Sequence, residues 1–386
     1  MDILITILIL LASALVLGEV FRYFRLPEVV GELLAGVILG PAVLGIISPS
    51  LLFQPISDIS LFFIILLIGV ESTTELLTLH SKNGFALSVT SFIIPVAGMV
   101  LAGTFVFGLS PIVSVAVSLA IGVPSISIIS VLVRDRNLTD SQGGQIILAS
   151  VIISDIIALV GISVIAHIDI AYIVIIEVGA FLAFLLLLDH FIRKNAERVR
   201  RMFNALHATE KGEKIIFGSV IVSGLLIAFI LRAINLTTVL GAFFAGILIS
   251  DVVIGKDLHG ILIRTLNRID ESFFIPVFFS LAGLQTVIPS PGLVTVLLVL
   301  VTISIVAGAA LTYFASRRFN GSVSPLVTTS ILGGRGSVGV IVATVALSSG
   351  IIGNSLYSLS IFGIIIIASI LPSMLRFAGT EEKTPS

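Results

Sequence analysis

One carboxylate, Asp155, lies near the centre of a long apolar stretch between residues 141 and 167. An ionised side chain at the middle of a bilayer costs about 2.5–3.5 kcal/mol on insertion scales, so an acid in such a place indicates a function by default. Ser154 adds a hydroxyl beside it, and Ser150 lies about one helical turn earlier. A carboxylate that only pairs with a neighbouring helix is the alternative. The chemistry that these groups allow is the binding of a proton or of a cation.

The composition places this stretch in a membrane protein. Of the 386 residues, 57% are hydrophobic and 11% are charged, and the mean hydropathy is +1.23. Soluble domains are about a quarter charged. Apolar runs of about 20 residues favour transmembrane helices over a barrel, and these helices predict an all-α polytopic fold in a lipid bilayer. Without cysteine there are no disulfides or thiolate metal sites, and no nucleic-acid-binding motif is recognised.

Thirteen membrane spans are predicted from the apolar runs. They are 3–22, 29–48, 57–79, 84–107, 112–133, 141–166, 170–192, 213–232, 236–253, 272–288, 292–315, 323–348 and 355–375. Lysine and arginine residues occur in the connections after odd-numbered spans, whereas the connections after even-numbered spans contain only Arg232. The positive-inside rule then places the N-terminus outside and the C-terminus in the cytoplasm of a multi-pass plasma-membrane protein. The one sizeable polar segment, 193–214, is predicted to be a basic cytoplasmic connector.

Two parts of the chain resemble each other. Residues 29–38, VVGELLAGVI, match residues 239–248, VLGAFFAGIL, at an offset of 210, and 69–71 similarly match 283–285. Small residues at this spacing also occur wherever helices approach closely, which is the simpler explanation. Because the offset spans seven predicted helices, an odd number, the second copy is inverted in the membrane. Inverted repeats of this kind are typical of secondary transporters.

The same offset relates two predicted helix breaks. The fifth span contains Gly-Val-Pro-Ser-Ile-Ser at 122–127, and the twelfth contains Gly-Gly-Arg-Gly-Ser at 333–337, so that Pro124 corresponds to Gly334. Proline removes an amide donor and clustered glycines weaken a helix. Broken helices at corresponding positions, crossing near the bilayer midplane, indicate a transporter binding site. A simple kink in each helix is the alternative.

These breaks give the polar residues defined roles. Arg335 is always charged, so it is predicted to compensate the negative C-terminal ends of half-helices. Asp155 is predicted to bind either H⁺ or Na⁺ or K⁺, with oxygen atoms of Ser154, Ser125, Ser127 and the broken backbone as further cation ligands. Burial disfavours the ionised acid, so proton and cation compete for one carboxylate. No resident cofactor is predicted, because these ions are the transported substrates.

Three further polar residues are predicted to line an ion pathway or to hydrogen-bond between helices. Glu71 lies in the third span, Gln285 occupies the matching repeat position in the tenth, and Ser150 lies on the central helix.

Six segments resemble the second monovalent cation:proton antiporter family, which includes bacterial sodium/proton antiporters and Kef-type potassium efflux systems. They are LPEVVGELLAGVILGPAVLGI, LIGVE, RNLTDSQGGQIILASVIISDIIAL, LGAFFAGILIS, FFIPVFFSLAGLQ and GGRGSVGVIVA. The resemblance implies thirteen helices, a homodimer and an elevator-like motion. It also implies a dimer platform at about 1–80 and 213–288, a linker helix at 168–192, and an ion-binding core at about 84–167 and 292–376.

The chain departs from the family pattern at several positions. Family members often have Asp, Asn or Gln directly before the central acid, whereas this chain has Ser154 before Asp155. A threonine-bearing motif that is common in the sodium antiporters is replaced here by Pro-Ser-Ile-Ser at 124–127. Ile305 occupies the position in the eleventh helix where the family often has a lysine, and Ser337 occupies the position after Arg-Gly where it often has an acid. With one central acid and no such lysine, one-for-one electroneutral exchange is expected. Kef-type proteins also carry a regulatory nucleotide-binding domain, which is not expected in this chain.

The sequence therefore predicts a Na⁺/H⁺ antiporter and not an enzyme. K⁺/H⁺ exchange of the Kef type through the same site is the nearest alternative. A cation-coupled organic solute symporter and an ion channel are alternatives of other classes, although the predicted core has few polar residues with which to bind a large solute.

Overall fold

The computed structural model describes residues 2–24, 26–72, 81–139, 141–194, 212–233, 238–249, 256–371, 373 and 375. These residues form helices joined by turns, without β-strands. The basic connector predicted at 193–214 lies for the most part outside the described residues.

The α-helices are numbered here in chain order. They are α1 (Ile3–Tyr23), α2 (Glu28–Leu39), α3 (Gln54–Glu71), α4 (Ser81–Ser88), α5 (Ile94–Leu101), α6 (Pro111–Gly122), α7 (Ile126–Asp135), α8 (Gln142–Ala166), α9 (Ala171–Lys194), α10 (Gly212–Ala233), α11 (Thr238–Leu248), α12 (Lys256–Ile269), α13 (Ile275–Leu284), α14 (Pro291–Phe319), α15 (Pro325–Leu332), α16 (Ser337–Ser348) and α17 (Asn354–Ile370). Segments of π-helix at Val89–Ile93, Ala102–Val106 and Asp270–Phe274 extend α4, α5 and α12. Each predicted span contains at least one of these helices.

Within the described part of the chain, five helical segments are long and apolar enough to cross a bilayer. They are Ile3–Tyr23, Leu51–Glu71, Lys82–Val106, Gln142–Ala166 and Pro291–Phe319, and shorter apolar helices accompany them. The chain is therefore a multi-pass, all-helical membrane protein, as the composition indicates. The number of thirteen crossings stays a prediction.

The second helix ends earlier than its predicted span, 29–48. It stops at Leu39, and Gly40 is extended with φ −80° and ψ −177°. The cause is Pro41, which has no amide donor and disfavours helical backbone in the residue before it. The chain then folds back, so that the amides of Leu44 and Ile47 donate to the carbonyls of Ile38 and Leu39 at 2.9 and 3.0 Å. These bonds satisfy carbonyl groups at the helix end.

The described helices form two compact units. The first unit comprises residues 1–57, 75–162 and 276–386, and the second comprises 58–74 and 163–275. The predicted platform, linker helix and core concern which helices move together, and that division stays a prediction.

Within the first unit, α2 and α13 cross in backbone contact. A Cβ atom at Gly36 would lie 1.9 Å from the carbonyl oxygen of Ser280, and one at Gly283 would lie 2.1 Å from that of Leu33. Real Cβ atoms do not approach so closely, so both positions require glycine.

Within the second unit, α3 and α11 cross in the same way. A Cβ atom at Gly69 would lie 2.2 Å from the carbonyl oxygen of Phe243, and one at Gly246 would lie 2.4 Å from that of Leu66. Gly36 and Gly246 are related by the offset of 210, and Gly69 and Gly283 belong to the other matching pair. The two crossings therefore support the internal repeat, which stays a prediction.

Candidate functional site

Two interrupted helices meet at their breaks. Helix α6 ends at Gly122 and α7 begins at Ile126, while α15 ends at Leu332 and α16 begins at Ser337. Between α6 and α7 the backbone is extended, with ψ 130° at Val123. An antiparallel β-bridge joins Pro124 to Arg335, and the amide of Ser125 donates to the carbonyl of Gly334 at 3.0 Å. The breaks predicted from the sequence are thus stretches of paired, non-helical backbone and not simple kinks.

The side chains at the two breaks also meet. The hydroxyl oxygens of Ser125 and Ser337 lie 2.8 Å apart, and both residues are buried. Ser127 lies on the first turn of α7, and its side chain is outside the described residues. The break therefore brings non-helical backbone polar groups and hydroxyl groups together in the buried interior, which is the environment in which a dehydrated cation can be bound.

The central acid is completely enclosed. Asp155 lies on α8 with no exposed surface, and neither carboxylate oxygen has a hydrogen-bond partner in the described part of the chain. A buried carboxylate without hydrogen bonds or a countercharge is costly in its ionised form. The acid must therefore be protonated, or its charge must be balanced by a bound cation.

The serine beside the acid, Ser154, donates its hydroxyl hydrogen to a main-chain carbonyl and not to Asp155. Ser154 Oγ donates to the carbonyl of Ser150 at 2.8 Å, and its other contact, with Ser88 Oγ at 2.8 Å, is then one in which Ser88 donates. Ser150 Oγ likewise donates to the carbonyl of Ile147 at 2.7 Å. What Ser154 presents to its remaining surroundings is an oxygen lone pair, which is the group that a cation requires.

Helix packing places the acid at the depth of the break. A Cβ atom at Gly161 on α8 would lie 3.1 Å from Leu119 Cδ1 on α6, so these residues are at the same level. The short connection between α7 and α8 makes the broken helix and α8 antiparallel. Asp155 lies six residues before Gly161, about 9 Å along the axis of α8. Three residues after Leu119, about 4.5 Å along its axis, α6 ends at Gly122 and the extended residues of the break begin.

Arg335 lies at the end of a half-helix. Its guanidinium is buried, with Nη1 donating to the carbonyl of Leu332 at 3.1 Å and Nη2 donating to that of Ser91 at 3.3 Å. Leu332 is the last residue of α15, where carbonyl groups concentrate partial negative charge. This geometry supports the charge compensation predicted for Arg335.

The carbonyl of Ser91 is available because of Pro95. In an α-helix the amide of residue 95 would donate to the carbonyl of residue 91, but proline has no amide hydrogen. Ser91 also lies in the π-helical turn Val89–Ile93, a feature common at functional sites. Sequence reasoning missed both Ser88 and Ser91. A proline in the middle of the span 84–107 was the signal that could have found Ser91.

The predicted pathway residues are distributed between the units. Ser150 lies beside Ser154 on α8, as described above. Gln285 lines a cavity of about 210 Å³ in the first unit, together with Ser50, Gln54 and Ser57. Glu71 belongs to the second unit, where its Oε1 accepts a hydrogen bond from Asn267 Nδ2 at 3.5 Å.

Solved structures share this fold. An electron-microscopy structure of the sodium proton antiporter MjNhaP1 from Methanocaldococcus jannaschii superposes with a TM-score of 0.73, at 19% identity, and covers 100% of both chains. A structure of the same protein at pH 8 gives a TM-score of 0.68, at 18% identity, over 95% of this chain and 92% of that one.

Several characterised or named proteins match along almost the whole chain. A probable Na⁺/H⁺ antiporter 3 from M. jannaschii is 25% identical over 95% of this chain and 94% of its own length. A Na⁺/H⁺ antiporter from Enterococcus hirae is 24% identical over 97% of each chain. The Na⁺/H⁺-K⁺ antiporter GerN from Bacillus cereus is 24% identical over 98% of this chain and 96% of its own length.

A family profile decides the classification. Residues 7–378 match the profile described as the transmembrane part of sodium/hydrogen exchangers. This match covers both interrupted helices, the central acid and Arg335, and it confirms the family resemblance that the sequence motifs indicated. The chain belongs to the sodium/hydrogen exchanger family.

Proposed function

We propose that this chain is an electroneutral Na⁺/H⁺ antiporter in which a proton and a sodium ion compete for Asp155. The observation that carries the proposal is the enclosed carboxylate, whose two oxygen atoms have no hydrogen-bond partner in the described part of the chain. Members of the family are secondary transporters and not enzymes. The relatives that match over nearly the whole chain are named as Na⁺/H⁺ antiporters, which supports the choice of ion.

The competition follows from the burial of the acid. With a proton bound, Asp155 is neutral and its enclosure costs little. When the proton leaves, the carboxylate requires a positive charge, and no described lysine or arginine forms an ion pair with it. Sodium supplies that charge and also accepts the lone pairs of Ser154 and, at the same depth, of the break around Ser125. One carboxylate can be balanced by the proton or by the sodium ion, so binding one releases the other.

The stoichiometry follows from the charges at the site. One acid alternates between H⁺ and Na⁺, and the position of the common family lysine is Ile305. Arg335 keeps its charge throughout, since guanidinium does not deprotonate in proteins. Each half-cycle therefore moves one positive charge, and the complete cycle moves none.

The remaining parts of the proposal concern the assembly. We place the protein in the plasma membrane as a homodimer, with the N-terminus outside and the C-terminus in the cytoplasm. The distribution of lysine and arginine between the connections supports this orientation. Alternating access by an elevator-like motion of the core against the platform is the mechanism that the family resemblance implies.

Potassium is the second ion to consider. The B. cereus relative, which matches 98% of this chain, is named for both Na⁺ and K⁺. Oxygen ligands accept either ion, so the size of the cavity around Asp155 determines the preference. Proteoliposomes containing a pH-sensitive dye, diluted in turn into Na⁺, Li⁺ and K⁺, distinguish the two cases. Collapse of the proton gradient by K⁺ alone would contradict the sodium assignment.

The site itself is tested by Asp155→Asn. Asparagine has the shape of the protonated acid but cannot exchange its hydrogen for a cation, so exchange should fall to the background of empty liposomes. The matched control is Asp169→Asn, which makes the same change at an exposed position between α8 and α9. Both variants should elute from gel filtration like the native protein. Native exchange by Asp155→Asn would reject the assigned site.

A further inference from the structure

A second enclosed acid lies outside the site described above. Asp270 is the first residue of the π-helical segment Asp270–Phe274, and it has no exposed surface. Neither of its carboxylate oxygens has a hydrogen-bond partner among the described residues, and none of them forms an ion pair with it. An uncompensated buried charge is costly, so the site must contain a proton or a cation.

Contacts within the second unit show what Asp270 faces. The ring of Phe63 on α3 stacks on Phe274 with centroids 4.4 Å apart and an interplanar angle of 7°. At the C-terminal end of α3, Glu71 Oε1 accepts a hydrogen bond from Asn267 Nδ2 at 3.5 Å. The two segments thus run antiparallel and side by side. Asp270 lies between Asn267 and Phe274 in the sequence, on the part of the helix that faces α3.

The electrostatics agree with this placement. Burial raises the pKa of Asp270 to about 8, and the charges of Glu71 on α3 and Glu271 on its own helix contribute to the shift. Asp270 precedes the predicted span 272–288. A carboxylate close to another carboxylate is harder to ionise, which favours the protonated form of Asp270. A proton on Asp270 removes this repulsion, and a cation bound at the carboxylate would also remove it.

The oxygen atoms around Asp270 are suited to a cation. Asn267 uses its amide nitrogen to bond Glu71, which leaves its Oδ1 as an acceptor. Together with the carboxylates of Asp270 and Glu71, the segment offers hard oxygen ligands, which sodium and similar ions prefer. Since Asp270 is the group that exchanges its proton, replacement of that proton by a monovalent ion leaves the net charge of the segment unchanged.

We propose that Asp270, Glu71 and Asn267 form a second binding site for a monovalent cation in the second unit, and that a proton on Asp270 competes with this cation. In the predicted topology the site lies on the cytoplasmic side of the membrane. The site is additional to Asp155 and does not depend on the role proposed for that residue.

The test is the thermal stability of the full-length protein carrying Asp155→Asn, which removes cation binding at the central acid. Sodium chloride is compared with choline chloride at equal ionic strength. At pH 9 sodium should raise the midpoint of unfolding by about 3 °C, because ligand binding to the folded state stabilises it. At pH 6 the proton occupies Asp270, so the rise should be much smaller.

Asp270→Asn added to this background should abolish the sodium-dependent rise. Asparagine imitates the protonated acid, so the variant should fold. The matched control is Glu271→Gln, which removes one negative charge from the adjacent, exposed residue and should retain the rise. Glu71→Gln, as a second variant, should reduce the rise by at least half.

Three outcomes would overturn the proposal. They are no sodium-dependent rise in Asp155→Asn at pH 9, an undiminished rise after Asp270→Asn, or a larger rise with magnesium chloride than with sodium chloride. The transport assay of Asp155→Asn tests the central site, whereas the stability assay tests the second site with Asp155 already replaced. A negative result in one assay therefore does not decide the other.

Discussion

In the proposed function, the adjacent residues Ser154 and Asp155 have different tasks. The carboxylate supplies the charge that H⁺ or Na⁺ balances, whereas the serine supplies an oxygen lone pair whose direction is fixed by two hydrogen bonds. The serine should therefore contribute to cation affinity and contribute little to proton binding. A proton forms its covalent bond to the carboxylate and needs no further ligands.

Ser154→Ala should raise the KM for Na⁺ by about tenfold, since a hydrogen-bond-type contact to a charged group contributes about 1.5–3 kcal/mol. The maximal rate should change less than the KM. The matched control is Ser369→Ala on α17, whose hydroxyl also donates to a carbonyl of its own helix, that of Ile365, at 2.7 Å. Rates of proton efflux from proteoliposomes at graded sodium concentrations give both constants. An unchanged KM would remove Ser154 from the cation site.

At this scale the sequence was sufficient to find the enclosed acid and the serines next to it on the same helix, but insufficient to find Ser88 on another helix. A single carboxylate in an apolar run is conspicuous because its cost in lipid is high. Ser88, by contrast, is one of many serines, and its contact with Ser154 joins residues 66 positions apart. Asp270 was not selected either, because it lies outside the apolar runs and its burial becomes evident only in the folded structure.

At the scale of helices, glycine positions decide which elements can cross. Gly283→Ala should destabilise the protein by about 1–3 kcal/mol, because the added Cβ would meet the carbonyl oxygen of Leu33 and the backbones would have to separate. The matched control is Gly179→Ala on α9, where no atom lies within 4 Å of the added Cβ. There alanine should stabilise the helix by about 1 kcal/mol.

Thermal unfolding of both variants in detergent measures the difference. Gly283→Ala should lower the midpoint by several degrees, and Gly179→Ala should not lower it. Equal midpoints for the two variants would show that the crossing of α2 and α13 is looser than the structure indicates.

Helices were the elements that the sequence predicted best, since apolar runs of about 20 residues have few other solutions in lipid. The two breaks were also found, from Pro124 and from the glycines at 333–336. Their crossing was predicted too, but the backbone bridge between Pro124 and Arg335 was not, because it joins residues 211 positions apart. The early end of α2 was not predicted, because the apolar run continues past Pro41, although a proline is itself a signal that a helix ends.

At the scale of the whole molecule, the charge moved in each cycle is the property to measure. Proteoliposomes with equal potassium on both sides and valinomycin hold the membrane voltage at zero. One-for-one exchange moves no net charge, so its rate should be the same with and without the ionophore. A marked acceleration by valinomycin would show that more than one proton or cation moves in one direction. The control is the same assay with a proton ionophore, which should accelerate proton movement in every case.

The bond between Arg335 and residue 91 has a property that follows from Pro95. The guanidinium donates to a main-chain oxygen, so a substitution of the buried Ser91 that the packing accepts leaves the same acceptor in place. Position 95, four residues along the chain, is the more restricted one, because any amino acid other than proline there would supply an amide hydrogen that competes for the carbonyl of residue 91. Pro95 thus affects the environment of Arg335 through the main chain, because it leaves the carbonyl of Ser91 without its usual helical donor.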